Sequence, residues 1–458
     1  GESVMAEQKH EEKTARHLEH LSEALDSGTQ IQVRKLLSNL SAAEIGDLLE
    51  SLPIAKRLAV WEMTDPELDG DVLVDVNDEV RASLIRDTAP DDLVAAVDDL
   101  DLDDLADILD DLPDEVTSKV LNSMDQQDRE RLAKVLSYPE DSAGGLMDPE
   151  FLSIRPDVTL DVVLRYLRMR RELPDHTDQL FVTDRHDHYL GALYLGDLLT
   201  NDPEEKVADL MRTEVDAMYA QLSATEVARE FEKFDLVSAP VVDDSHKLIG
   251  RLTIDDVVDV IRDEGDHTIM SQAGLSEEED MFSPVLLTSR RRGIWLGINL
   301  LTAFLAAAVV GLFENTIAQF TARAVLLPVV AGQSGNTGAQ ALAVIMRGLA
   351  LREIQLRHWQ RVLFKEVLAG ALNGIAIAIV TGLGVLLWSQ SIGLAVVIGV
   401  AMVISMALAG LSGAAIPLLL TRLGQDPAQS ASIILTTVTD VVGFFSFLGL
   451  ATLFSALL

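Results

Sequence analysis

From Ile294 onward the chain is dominated by long apolar runs, and a helix needs about 20 such residues to cross the ~30 Å hydrocarbon core of a bilayer. Five spans are predicted: Ile294–Phe313, about Arg323–Ala350 with a polar interruption, Val362–Trp388, Ile392–Leu420 and Ala428–Leu458. Ahead of them the pattern differs. Residues 16–137 carry Leu-rich segments at helical period, punctuated by Pro53 and Pro113. The phrase Asp47-Leu48-Leu49-Glu50-Ser51-Leu52-Pro53 returns as Asp107-Ile108-Leu109-Asp110-Asp111-Leu112-Pro113, as expected of stacked helix pairs forming a small superhelix. Between Gly144 and Asp263 two passages run in parallel: Gln179–Asp184 then Gly191–Leu199, and Ser238–Asp243 then Gly250–Val258. Each reads as strand, helix, strand, turn, strand and helix.

The fold class expected is therefore multidomain: an all-α superhelical N-terminal domain at 16–140, an α/β tandem pair at 141–255 (141–202 and 203–255), a connecting helix and linker at 256–285, and a polytopic α-helical membrane domain with five spans at 286–458. Arginine and lysine fix its orientation, because bases in short loops stay on the cytoplasmic side. Arg290, Arg291 and Arg292 precede the first span, Arg347, Arg352, Arg357, Arg361 and Lys365 join the second to the third, and Arg422 joins the fourth to the fifth. The loop Ser389-Gln390-Ser391 has no charge, and the first-to-second connection holds only Glu314 and Arg323. This arrangement puts the front half in the cytoplasm and the C-terminus outside. The polar opening, with Gly1-Glu2-Ser3-Val4 before Met5, reads as an expression remnant and predicts no cleaved signal peptide.

Charge divides the chain just as sharply. Up to Pro284 there are 68 of the 73 acids and 26 of the 36 bases, so the two parts carry formal charges of −42 and +5. Such an acidic half repels phosphate backbones, which excludes nucleic acid as a partner and favours cations. With no cysteine, disulfides, thiolate metal sites and cysteine nucleophiles are excluded. Nothing resembles a phosphate loop, a nucleophile elbow or a metal-hydrolase motif, so an enzyme is not expected.

Two stretches put polar atoms where lipid would be. Pro328–Gln340 holds Gln333, Ser334, Asn336, Thr337 and Gln340, with Gly332, Gly335 and Gly338 expected to break the helix, and broken backbone at membrane depth belongs beside protein or a wet cavity. In the fifth span Thr436, Thr437 and Thr439 precede Asp440, which lies 12 residues past Ala428 and so roughly 18 Å into the membrane. Burying a lone carboxylate costs at least ~2.5 kcal/mol, so an intramembrane acid is functional or paired; Arg323 and Lys365 are the candidate partners. Two copies of Asp440 on a shared axis would match a doubly charged ion, and a ring of oxygen atoms suits a largely hydrated Mg²⁺. Histidine and cysteine are missing from these segments, which disfavours soft metals there. In the acidic half, Asp103, Asp104 and Asp107 share one helix edge, where like charges destabilise a helix by a few tenths of a kcal/mol per pair and a divalent cation would relieve them.

The paired passages resemble tandem cystathionine-β-synthase (CBS) domains, which often bind ATP or another adenine nucleotide. Thr253 to Asp256 resembles that family's ribose and phosphate contact pattern; in the first repeat Tyr194 replaces the small hydroxyl while Asp197 remains. The whole order of domains resembles the MgtE family of bacterial magnesium channels, relatives of the solute carrier 41 proteins, most specifically at Gly335-Asn336-Thr337-Gly338, Arg347-Gly348-Leu349-Ala350 and Thr437–Gly443. The resemblance implies a homodimer in the inner membrane with one pore on its two-fold axis, Asp440 facing the ion, and Asn336, Gln340 and Thr437 nearby. It also implies that a helix at about Asp256–Ala273 closes the pore when regulatory Mg²⁺ bridges acids at Asp103, Asp107, Asp235, Asp256, Asp259 and Glu264. Family sensor acids are replaced at Ala59, Thr225, His267 and Thr268, which should weaken the sensing or shift its threshold. Transport of Co²⁺, Mn²⁺ or Ni²⁺ beside Mg²⁺ is compatible with the same chemistry. The competing expectation is a proton- or sodium-coupled exporter with Asp440 as the coupling carboxylate.

Overall fold

The structure is a computed structural model and describes residues 30–98, 100–171, 173–272, 275, 281–319, 324–350, 354, 359–425 and 427–454. Arg323, Arg352, Arg357, residues 16–29, Ala273 and the last four residues of the expected fifth span lie outside that description. The chain divides into two compact units, the first boundary falling after Gly265.

The first unit opens with a stack of short helices: α1 Gln30–Leu37, α2 Ala42–Glu50, α3 Ile54–Trp61, α4 Asp69–Asp75, α5 Asp78–Asp87, α6 Pro90–Val97, α7 Leu102–Ile108, α8 Asp114–Ser123 and α9 Gln126–Val135. Their ends are written in the sequence. Ser41 and Glu44 form a reciprocal capping box on α2, Asn77 accepts from the Val80 amide to start α5, and Asp125 does the same for α9. Pro53 and Pro113 both stand immediately before a helix, where the missing N–H costs nothing, so the repeated phrase marks equivalent boundaries. Packing alternates, with α2 against α4, α4 against α6 and α6 against α8, and one apolar core runs from Val33 to Leu132.

Two βαββα repeats follow. Strands β1 Ser153–Ile154, β2 Gln179–Thr183 and β3 Tyr189–Tyr194 form one sheet in that order, with α10 Leu160–Arg170 before β2, then α11 Leu195–Thr200 and the short α12 Val207–Leu210. Strands β4 Met218–Tyr219, β5 Ser238–Val242 and β6 Leu248–Thr253 repeat the arrangement around α13 Ala224–Phe234. In each sheet the first pair is parallel and the second antiparallel, with a register shift at the same place. The succession strand, helix, strand, turn, strand and helix expected from the sequence is thus observed in both repeats. The first residues of β2 and β5 join the repeats, Gln179 Nε2 donating to the Ser238 carbonyl at 2.8 Å. Arg251 on β6 reaches back to Asp148, with Nη2 2.7 Å from Oδ2 and both side chains only 7% exposed. From β6 the chain runs directly into α14 Ile254–Gln272, the connecting helix.

The second unit contains α15 Val285–Gly311, α16 Glu314–Gln319, α17 Leu327–Ala350, α18 Trp359–Ser389, α19 Ile392–Arg422 and α20 Pro427–Leu453. Among the described residues four helices are long and apolar enough to cross a membrane: α15, α18, α19 and the Ala431–Leu453 part of α20. Helix α17 has the length, 24 residues or about 36 Å at 1.5 Å per residue, but its polar side chains keep it out of that set. Helix α19 lies at the centre, packed on α17, α18 and α20, because its Gly and Ala residues let neighbours approach. A Cβ on Gly413 would stand 2.4 Å from the Gly338 carbonyl oxygen, and one on Gly410 2.6 Å from that of Glu366.

One expectation is corrected here. Gly332, Gly335 and Gly338 do not break the helix, since α17 is continuous from Leu327 to Ala350. Pro328 falls in the first turn, where it removes no helical hydrogen bond. The glycines cost about 1 kcal/mol each against alanine, a sum that packing on α19 and α20 can outweigh, and Gly338 sits where Leu435 and Thr439 of α20 come close.

The buried Arg251–Asp148 pair gives a direct test of the repeat architecture. Arg251→Met leaves Asp148 buried without its partner and should destabilise the first unit by about 3–5 kcal/mol. Thermal unfolding of the parent and the variant measures this, and equal midpoints would contradict it.

Candidate metal centre and ion pathway

The acidic half brings one group of carboxylates close together. Asp101 stands at the N-cap of α7, Asp103 and Asp104 fill the first turn, and Asp107 follows one turn on, while Leu102, Leu105 and Ile108 turn inward. Carboxylates suit a helix N-terminus because the peptide dipoles there present partial positive charge. Carboxylate oxygens of Asp101, Asp103 and Asp104 all lie within 4.8 Å of one another. Asp255, Asp256 and Asp259 occupy the start of α14 in the same unit, and Asp71 and Asp75 lie on α4.

These groups act on each other across the domain boundary. Burial first, then the charges of Asp148, Asp256 and Asp104, pushes Asp103 up to about 8. Burial and the neighbouring Asp101, Asp107, Asp71 and Asp255 raise Asp104 to about 7. Asp107 rises to about 6 through burial and Glu140, partly opposed by Arg81. Asp256 rises to about 7 through burial and Asp255, although Thr253 Oγ1 donates to its Oδ2 at 2.9 Å. Asp75, raised chiefly by burial, also feels Asp259 on the connecting helix. Of the cations nearby, Arg251 is committed to Asp148 and Arg81 to Asp78 and to Asp111 at 3.0 Å, while Arg262 on α14 partly offsets the charges of Asp75 and Asp259. Asp103 Oδ1 is buried and meets no hydrogen-bond donor among the described residues. An unbonded acceptor beside two further carboxylates fits a hard, oxygen-seeking dication.

Of the sensor residues expected from sequence, Asp103, Asp107, Asp256 and Asp259 come together in this seam. Asp235 does not; it is exposed at the end of α13 in left-handed conformation, φ 51° and ψ 46°. Glu264 is exposed on α14. Asp71, Asp75, Asp104, Asp148 and Asp255 belong to the seam without having been chosen from sequence as sensor ligands. For Asp71 and Asp75 the i,i+4 spacing was a usable sign, but nothing local said which helices would face each other. The residues of the expected nucleotide pattern divide. Thr253 is bonded to Asp256, whereas Asp197 is paired with Arg212 at 3.1 Å, whose guanidinium lies 4.4 Å over the Tyr194 ring.

In the second unit the polar residues of α17 and α20 meet at one level. Gly338 abuts Thr439, which sets Asn336–Gln340 beside Thr437–Asp440. Ser334 and Thr439 face inward, and their hydroxyls bond back to carbonyls of their own helices, which satisfies them without water. Asn336 and Gln340 are exposed, and Thr437 and Asp440 are half-buried, so these side chains lie on the side of the bundle the chain itself does not cover. No base pairs with Asp440 among the described residues. Lys365, a partner considered from sequence, instead lies 3.0 Å from Glu366. Glu366, 8% exposed on α18, is a buried acid that the sequence reading passed over because it sits close to the end of an apolar run.

Apolar helices carrying Asp440, preceded in the chain by a paired βαββα module and an acid-rich helical stack, have the make-up of a divalent cation transporter family. Family models agree segment by segment: a divalent cation transporter of the MgtE type over residues 327–450, an MgtE intracellular N domain over 40–141, and CBS domains over 143–204 and 207–263. The chain is 35% identical to the magnesium transporter MgtE of Thermus thermophilus over 333 residues, 72% of this chain and 74% of that one. It is 30% identical to the magnesium transporter MgtE of Bacillus subtilis over 338 residues, 73% and 74% respectively. Among solved structures, the cytosolic domain of the Mg²⁺ channel MgtE in complex with ATP is 31% identical, covering 52% of this chain and 98% of that one, with a TM-score of 0.48. The chain belongs to the MgtE family of magnesium transporters.

The raised carboxyl groups have a consequence for stability. Between about pH 4 and about pH 8 the folded seam keeps protons that the unfolded chain has already lost, so ionisation on raising the pH costs folding free energy. Without divalent cations the first unit should therefore lose thermal stability as pH rises from about 5 to about 8, and Asp103→Asn should flatten that slope. Unfolding midpoints measured in EDTA across this range check it; a slope of opposite sign would contradict it.

Proposed function

We propose that this chain transports Mg²⁺ into the cell across a bacterial inner membrane, as a homodimer with one pathway between its protomers. All of α15, α17, α18, α19 and α20 span the bilayer in this reading, with the acidic domains cytoplasmic and the C-terminus outside. The observation that carries it is the polar strip of Asn336, Gln340, Thr437 and Asp440, left uncovered at one level of a bundle that otherwise presents apolar surface. A strip of oxygen-bearing groups that includes a carboxylate is costly against lipid and serviceable against water and cations. In a two-fold dimer each protomer supplies one Asp440, so the pair balances the charge of a divalent ion. The amide and hydroxyl oxygens then contact its water shell rather than stripping it, as suits an ion that dehydrates reluctantly. Co²⁺, Mn²⁺ and Ni²⁺, of the same charge, are expected to enter with lower preference.

In the same reading the acidic seam is the sensor. Mg²⁺ bound among Asp103, Asp107, Asp256 and Asp259 offsets the repulsion between α7 and α14 and favours the arrangement in which they are close. When the ion leaves, like charges separate them, and α14 carries that change toward the membrane helices, opening the pathway. Asp235 and Glu264 are assigned outer, weaker contributions because both are exposed. A shift from 1:99 to 99:1 requires about 5.5 kcal/mol of differential binding, which several modest sites supply together. An adenine nucleotide on the repeats, contacting Thr253, Asp256 and Asp197, would share Asp256 with the seam, so nucleotide and Mg²⁺ binding should influence each other.

Flux into liposomes tests the pathway. Asp440→Ala should abolish selective Mg²⁺ uptake while leaving the protein folded, and persistence of selective uptake would remove Asp440 from the ion's path. Limited proteolysis tests the sensor: millimolar Mg²⁺ should slow cleavage within Asp256–Gln272, and equal rates with and without it would remove the sensor.

A further inference from the structure

The turn between β2 and β3 reads Asp184-Arg185-His186-Asp187-His188. One carboxylate oxygen of Asp184 holds the turn, accepting from the backbone amides of His186 at 2.8 Å and His188 at 2.9 Å. The other oxygen faces the imidazoles, with His188 Nδ1 2.9 Å and His186 Nδ1 4.0 Å from Oδ2. One ligand atom from each of the three residues lies within 4.8 Å of the others. Ligands of a tetrahedral dication at bond lengths of about 2.0–2.1 Å stand roughly 3.3 Å apart, so the spacing here brackets what such an ion needs. His186, with 80% of its side chain exposed, can swing to close the difference.

The second repeat supplies an internal control. Its equivalent turn runs Asp243-Asp244-Ser245-His246-Lys247, and Asp243 Oδ1 accepts from the amides of Ser245 at 2.9 Å and Lys247 at 3.0 Å. The backbone of the turn is therefore held by the aspartate in both repeats, with Ser245 Oγ adding a bond of 2.7 Å to the same oxygen in the second. Ser245 and Lys247 stand where the first repeat has His186 and His188, so the two imidazoles beside Asp184 are not needed for the backbone. The adjacent Arg155 is committed to the Asp184 carbonyl, Thr183 and Asp187.

We propose that this turn is a binding site for a borderline transition-metal dication such as Zn²⁺, held by Asp184 Oδ2, His186 Nδ1 and His188 Nδ1, with water completing a four-coordinate shell. Imidazole nitrogen suits Zn²⁺, Ni²⁺ or Co²⁺ and not Mg²⁺, so the site would respond to a different ion from the oxygen-only seam. Its place gives binding a structural consequence. The turn is fastened to the second repeat, with the Tyr189 amide donating to the His246 carbonyl at 3.1 Å and the Leu248 amide to the Asp187 carbonyl at 2.9 Å. An ion that fixes His188 therefore stiffens the join between the two repeats.

Calorimetric titration of the full-length protein with ZnCl₂, in millimolar Mg²⁺ to saturate the carboxylate sites, tests the proposal. The expected result is one saturable Zn²⁺ site per chain, with affinity lowered about tenfold or more by His186→Ala and lost in the His186→Ala/His188→Ala double variant. His186 is exposed and its side chain makes no hydrogen bond that holds the turn, so the single variant should keep the parent's unfolding midpoint in EDTA. Absence of saturable binding by the parent, or unchanged affinity in His186→Ala, would overturn the assignment.

Discussion

Repulsion between carboxylates held in a half-dehydrated seam is the constraint on which the front half of this molecule depends. Asp103, Asp104 and Asp107 on one helix face Asp255, Asp256 and Asp259 on another, and the arginines beside them are mostly engaged elsewhere. Such an arrangement is favoured when protons or cations fill the deficit, and the protons are lost as the pH rises toward about 8. In the proposed reading, the seam couples the ionic composition of its surroundings to the geometry of the connecting helix through ordinary electrostatics.

The membrane unit solves a different problem with similar means. Its hydroxyl groups that face the core bond back to their own helices, and its glycines let α19 lie against its neighbours at short range. What remains uncovered is a strip of amide, hydroxyl and carboxylate groups on α17 and α20. The chain thus separates polar residues used for packing from those left uncovered, which the proposed pathway assigns to the ion.

Much of this was legible from residue order. Apolar runs located the long helices, the repeated Asp-to-Pro phrase fell on equivalent helix ends, and the paired passages showed the succession of strands and helices in both repeats. Helix α17 misled because three glycines in ten residues suggest a break, whereas close packing keeps the helix whole and uses Gly338 as a contact point. The seam was half visible. The helical spacing of Asp103 and Asp107 showed a charged edge, but which edge it would meet is decided by tertiary packing, so Asp71, Asp75 and Asp255 could not be assigned from sequence. Glu366 and the His186–His188 pair went unnoticed for a related reason: an isolated acid or histidine acquires meaning only from its neighbours in space.

Current through inside-out membrane patches, recorded while Mg²⁺ on the cytoplasmic face is raised, tests the central claim most directly. The parent protein should close progressively, and a chain with Asp103→Asn and Asp256→Asn together should need markedly more Mg²⁺ to close or fail to close. Identical Mg²⁺ dependence in the two would show that the seam does not control the pathway.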